Sequence, residues 1–116
     1  MENRIAFLVV DATDAELLGK FWADMLGWQV VNRGSYGVSI GMDGGPFEID
    51  FRLVPDGPKA AKNRLHLDVK PVNREQSAEL DRLLALNARR VDVGQGNRNW
   101  YVLADPEGNE FCLCRP

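Results

Sequence analysis

From Arg4 to Asp11 the chain reads RIAFLVVD, a short apolar run rich in branched residues that ends in polar positions. That pattern predicts a buried strand. The period then changes. Leu17, Leu18, Phe21, Trp22, Met25 and Leu26 recur at helical spacing and make one broad apolar stripe. Thr13 stands where it can cap this helix, with Glu16 three residues on completing a capping box. Gly27 follows directly, and glycine accepts the left-handed conformation that ends many helices. Three strand-like segments come next, Trp28–Arg33, Tyr36–Met42 and Phe47–Val54, separated by Gly34-Ser35 and by the turn Asp43-Gly44-Gly45-Pro46.

Residues 55–63 (PDGPKAAKN) form a polar connector with two prolines, and after it the pattern begins again. Arg64–Lys70 alternates strictly, with Leu65, Leu67 and Val69 on one face and Arg64, His66, Asp68 and Lys70 on the other. Asn73 can cap a second helix, with Gln76 three residues on. Leu80, Leu83 and Leu84 supply its apolar stripe, and Asn87 sits where glycine sat before. Val91–Val93, Trp100–Ala104 and Glu110–Cys114 are the remaining strand segments. Gly94–Asn99 joins the first two as a hairpin loop, and Asp105-Pro106-Glu107-Gly108 turns between the last two. The order strand, helix, three strands thus occurs twice, an internal repeat with an offset of 60 at the first strands and helix ends and 64 at the last strands.

The expected architecture is a single α+β domain over residues 1–116, made of two βαβββ modules at about 4–54 and about 64–115 with a linker at 55–63. The modules are expected to form a curved mixed sheet, a cup, with the helices on its outer face. Leu17, Phe21, Ile49, Leu80, Leu84 and Phe111 should lie between sheet and helices.

Composition narrows the function classes. Apolar residues make up 45% and charged residues 27% of the 116, ordinary values for a globular chain and too apolar for disorder. Lys and Arg number 14 against 17 Asp and Glu, a formal charge of -3, which argues against a nucleic-acid binder. No apolar run approaches the ~20 residues of a membrane span. The first residues lack the features of a secretory signal, so the expected location is the cytoplasm. Cys112 and Cys114 are two apart, which on a strand separates Cα atoms by about 6.5–7 Å, the outer limit of disulfide geometry. Both read as free thiols. His66 is the only histidine, so no His-rich metal site can be built from this chain.

Three segments, FWADMLGW (21–28), KNRLHLDV (62–69) and DPEGNEFCL (105–113), together with the duplicated βαβββ layout, resemble the vicinal oxygen chelate superfamily, which includes glyoxalase I, bleomycin-resistance proteins and extradiol dioxygenases. The chain looks like a small bacterial glyoxalase-like domain. The resemblance implies a small-molecule site in the cup. In metal-using relatives it implies ligands on the first and last strands of each module. His66 matches the position on the first strand of module two. Glu48 or Asp50 can match on the last strand of module one. Cys112 falls where a carboxylate is usual, and Phe7 or Ala6 stands at the fourth position without a donor atom. The resemblance therefore implies a departure from the metal pattern, and neither metal nor other cofactor is expected.

Imidazole ordinarily titrates in a range that suits proton transfer near neutral pH. His66 is accordingly the first catalytic candidate, with Glu48 or Asp50 as a carboxylate partner, although both acids also fit a solvated strand face with local salt bridges. Arg52 shares their face. Arg64 and Asp68 share that of His66. Of Trp100 and Tyr101, neighbours with opposite facings, one should reach the pocket. Phe7 and Cys112 complete the expected ligand-binding set, although Cys112 reads more readily as a small buried hydrophobe. Lys59, Lys62 and Arg64 form a basic cluster that fits a solvated linker or a clamp for an anionic substrate.

The expected function is binding of a small organic molecule, with a metal-independent lyase- or isomerase-type reaction using His66 and a carboxylate. Two alternatives stay open. One is non-catalytic sequestration of a small molecule, in the manner of bleomycin-resistance proteins. The other is a metal-dependent glyoxalase or dioxygenase, which would draw on His66, Glu48 and Cys112. The expected partner is the small molecule itself, with no nucleic acid and no membrane. Exposed sheet edges are compatible with a homodimer.

Overall fold

The structure is a computed structural model that describes residues 2–55, 57, 59–92 and 99–116. The chain falls into two compact units, Met1–Pro58 and Lys59–Pro116, here modules one and two. Each repeats the same order of elements. Module one holds β1 (Phe7–Ala12), α1 (Ala15–Leu26), β2 (Gln29–Gly34), β3 (Gly37–Gly41) and β4 (Glu48–Leu53). Module two holds β5 (Asp68–Val69), α2 (Gln76–Ala85), β6 (Arg89–Arg90), β7 (Tyr101–Ala104) and β8 (Glu110–Leu113). Each has a four-stranded mixed sheet, ordered β1-β4-β3-β2 and β5-β8-β7-β6. The first strand pairs parallel with the last, and the other pairings are antiparallel. The fold is α+β with two βαβββ modules, as the repeat predicts.

In module one α1 lies against β3 and β4. Ala15, Leu18, Trp22 and Met25 follow helical spacing and are buried, as are Val38, Ile40, Ile49 and Phe51 of the sheet. Gly19 permits the closest approach, because a Cβ there would stand 2.5 Å from the Val38 Cγ2 methyl. Gly37, at φ 139°, has the Phe51 carbonyl oxygen 1.9 Å from where its Cβ would be, so no side chain fits at the start of β3.

Several sequence expectations need correction. Leu17 is 50% exposed, because α1 begins at Ala15 and its buried stripe passes through Leu18 instead. Asp14, not Thr13, is the N-cap, its carboxylate accepting the Leu17 N–H at 3.0 Å. Glu16 leaves the capping box to pair with Arg33 at 2.7 Å. In module two Glu75 occupies the N-cap, while Asn73 adopts a left-handed turn at φ 61°. Asn87 does take the left-handed conformation expected of it, at φ 81°. The alternating segment from Arg64 pairs as a strand only at Asp68–Val69, and Leu65 is 84% exposed. The sixth strand is Arg89–Arg90 rather than Val91–Val93. Val93 and most of the loop expected at Gly94–Asn99 lie outside the described residues. No helix among the described residues is long and apolar enough to cross a membrane.

The face of α2 is set by Leu80 and Leu83, both buried, and by the buried Glu79. Gln76 ties the helix start to the sheet by donating from Nε2 to the Leu113 and Asn99 carbonyls at 3.1 and 3.0 Å. Glu79 is held by Arg82, whose Nε and Nη2 each donate at 2.8 Å, and by Arg74 at 2.9 Å. The bonds and charge of Arg82, followed by those of Arg74, outweigh the opposing effect of burial and lower its pKa.

Two stability predictions follow from this helix. Leu83→Ala should cost about 2–5 kcal/mol, whereas Leu84→Ala, at a position 36% exposed, should cost less than about 1 kcal/mol in urea denaturation. The contribution of Glu79 is fully present above its ordinary value of 4.5 and is lost as pH falls through the lowered value. Unfolding midpoints measured across that acid range should therefore fall more steeply for the native chain than for Glu79→Gln.

Candidate functional site

The strand register of module two builds a row of side chains. Asp68 stands opposite Cys112 across the parallel β5–β8 pair, and Val102 stands opposite Cys112 across the antiparallel β7–β8 pair. Paired residues share a face, so Asp68, Cys112 and Val102 project together while Val69, Leu113 and Tyr101 project to the other side. The row forms part of the wall of a pocket of about 330 Å³. His66, Trp100 and Lys62 line the same pocket, as do Glu110 and Cys114. Tyr101 is not part of the lining and packs beneath the Arg90 guanidinium, 5.0 Å from its ring centre. Arg64 is exposed and also lies outside the lining.

His66 Nδ1 lies 3.3 Å from Asp68 Oδ1 and 4.0 Å from Cys112 Sγ. The Cys112 thiol is pushed up to about 11, first by burial, then by the Asp68 charge and by a hydrogen bond to that carboxylate. Burial and Asp68 also raise Cys114, against the opposing charge of Lys70. Both sulfurs are therefore thiols at neutral pH, not activated nucleophiles. Glu110 differs. Burial opposes its ionisation, but the Asn63 N–H at 2.9 Å and Lys59 at 3.1 Å outweigh that and lower its pKa. Lys59 is thereby engaged, and Lys62 is a lysine on the pocket wall.

The remaining candidates belong to module one. Asp50 is 4% exposed and has both oxygens occupied, one by the Ser39 hydroxyl at 2.7 Å and the other by Arg52 Nη2 at 3.2 Å. The Tyr36 hydroxyl meets Ser39 Oγ, and the Arg52 guanidinium lies 5.7 Å from the centre of the Tyr36 ring. These bonds tie Asp50 of β4 to Ser39 of β3 and to its own strand neighbour Arg52. Tyr36 and Ser39 were missed in the sequence, because only the β3–β4 register sets Ser39 opposite Asp50. Glu48 is half-buried opposite Phe7, which is 53% exposed.

The register also corrects the internal alignment. Glu48 N–H donates to the Ala6 carbonyl, and Cys112 N–H donates to the Leu67 carbonyl. Ala6 thus corresponds to Leu67, Phe7 to Asp68, and Ile5 to His66. Neither Ile5 nor Phe7 has a donor atom, so the metal-ligand set implied by family resemblance is not complete across both modules. Among the described residues, donors gather in module two. Atoms of His66, Asp68 and Cys112 all lie within 4.8 Å of one another. The carboxylate beside His66 is therefore Asp68, its neighbour two residues on.

Residues 7–114 match the glyoxalase-like domain family. No functionally curated protein matches the sequence. Solved structures share the fold at low identity. The fosfomycin resistance protein FosX from Mesorhizobium loti superposes with a TM-score of 0.73 at 12% identity, covering 98% of this chain and 92% of its own. A glyoxalase-related enzyme from Fulvimarina pelagi gives 0.71 at 17% identity, covering 99% and 89%. A glyoxalase/bleomycin resistance protein/dioxygenase family enzyme from Burkholderia phytofirmans PsJN gives 0.71 at 17% identity, covering 97% and 98%. Twin βαβββ modules and a family match across nearly the whole length lead to one assignment: the chain belongs to the glyoxalase-like domain family.

Proposed function

We propose that the protein binds a small organic molecule in the pocket of module two and that His66, oriented by Asp68, moves a proton on it. The reading rests on the 3.3 Å pairing of His66 Nδ1 with Asp68 Oδ1 on a wall that also carries Trp100. A carboxylate only accepts, so this pairing favours the tautomer with hydrogen on Nδ1 and leaves Nε2 basic. Nε2 can then take a proton from carbon beside a carbonyl and return it to a neighbouring atom. The net change is an isomerisation, or an elimination where a leaving group departs. Lys62 supplies positive charge where a developing enolate oxygen needs it. Trp100 and Val102 offer apolar surface to the carbon skeleton. Glu48 and Asp50, the carboxylates first expected from sequence, are not needed, and Asp50 is already enclosed.

A second reading, in which the molecule is held and returned intact, draws support from the protonated thiols, since Cys112 offers no ready nucleophile.

Proton NMR in deuterium oxide separates the two. Small methyl ketones, 2-oxo acids and hydroxyaromatic compounds supply the probes. Proton transfer predicts deuterium entry beside the carbonyl of a bound compound, slowed about 10²–10⁴-fold in His66→Ala and less in Asp68→Asn. Binding without exchange supports sequestration. Absence of binding across the set sinks both.

A further inference from the structure

In module two a nitrogen, an oxygen and a sulfur donor converge on one another. We propose that His66, Asp68 and Cys112 form a site for a thiophilic divalent cation such as zinc or cadmium, built by module two alone. The separations are 3.3 Å from nitrogen to oxygen and 4.0 Å from nitrogen to sulfur, with all three donors within 4.8 Å. Donors of one tetrahedral shell, at bond lengths of about 2.0–2.3 Å, stand about 3.3–3.8 Å apart. The nitrogen–oxygen separation already falls in that range, and the nitrogen–sulfur separation lies just above it.

The backbone already fixes two of the three positions. Asp68 and Cys112 are register partners across β5 and β8, and His66 precedes Asp68 by two residues. A mixed sulfur, nitrogen and oxygen set selects zinc or cadmium over magnesium or calcium, which prefer oxygen alone. Binding exchanges the Cys112 proton for the cation: a sulfur–metal bond forms, the S–H bond breaks, and the proton leaves to solvent. The set differs from the ligands spread over both modules that family resemblance implies. It adds Asp68 and does without module one, whose counterpart positions are Ile5 and Phe7.

The inference goes beyond the proton-transfer reading and does not depend on it. The cation would occupy Nδ1, the nitrogen that Asp68 holds in the proton-transfer form, so the two states of His66 are alternatives.

Cobalt(II) titrated into the purified, chelator-treated full chain is the direct test, since thiolate ligation gives a near-ultraviolet charge-transfer band. One equivalent should produce that band together with the visible bands of tetrahedral cobalt, and zinc should displace both. Cys112→Ser should abolish the charge-transfer band, and His66→Ala and Asp68→Asn should each weaken binding at least about tenfold. Cys114→Ser and Glu48→Gln should leave band and affinity unchanged, with circular dichroism verifying that each variant is folded. No band in the native chain, or its survival in Cys112→Ser, overturns the proposal. Loss of binding in folded Glu48→Gln also overturns it, because the site would then need module one. The readout uses cobalt alone, so its failure leaves the deuterium-exchange test untouched.

Discussion

The parallel pairing of the first strand with the last governs both modules. In a β-strand a slip of one residue moves every side chain to the opposite face. With β5 and β8 in their observed register, Asp68 and Cys112 share a face and His66 reaches them both. One residue out of step, Val69 would face Cys112 and Asp68 would leave the row beside it. The same pairing in module one sets Phe7 opposite Glu48, so an identical scaffold there yields an apolar residue beside a single acid. Duplication supplied two equivalent strand pairs. Among the described residues, side-chain chemistry makes a cluster of three donors at the second.

The acidic residues divide by their surroundings. Asp50, Glu79 and Asp105 are buried, and each has its oxygens satisfied within its own module. Asp105 accepts from the Glu107 and Asn109 amides and from the Asn109 side chain, and so closes the turn between β7 and β8. That turn fixes the hairpin register that brings Val102 opposite Cys112. Asp68 is of another kind. Its side chain is 61% exposed on the pocket wall, where it meets the imidazole of His66 and the thiol of Cys112. Solvent weakens such a pair as a source of stability but leaves it free to orient a ring or accept a ligand.

Much of this was legible in the sequence. The change from period two to helical spacing, the turn residues and the repeat were enough for two βαβββ modules, and His66 stood out as the only histidine. What escaped was decided by tertiary contacts. Leu17 and Leu84 are as apolar as their buried neighbours Leu18 and Leu83, and hydrophobicity alone does not tell which of two adjacent leucines faces inward. Thr13 and Asp14 are both good caps, one residue apart. The regular alternation of Arg64–Lys70 exceeds the two residues that β8 pairs with, so Leu65 remains exposed. Asp68 lay on the face assigned to His66 from the start. Its 3.3 Å pairing with His66 depends on side-chain placement that alternation alone does not give. Trp100 and Tyr101 were separated by register, which sets Tyr101 opposite Leu113.

The central claim is that Asp68 holds the His66 ring with hydrogen on Nδ1. Nitrogen-15 NMR reads this directly, because the sole histidine gives one pair of ring signals and the two tautomers differ in which nitrogen carries the proton. In the metal-free protein above the range where the ring is cationic, the Nδ1–H form should dominate, and Asp68→Asn should shift the balance toward Nε2–H. Ring signals that show Nε2–H in the native chain, or that are unmoved by Asp68→Asn, would contradict it.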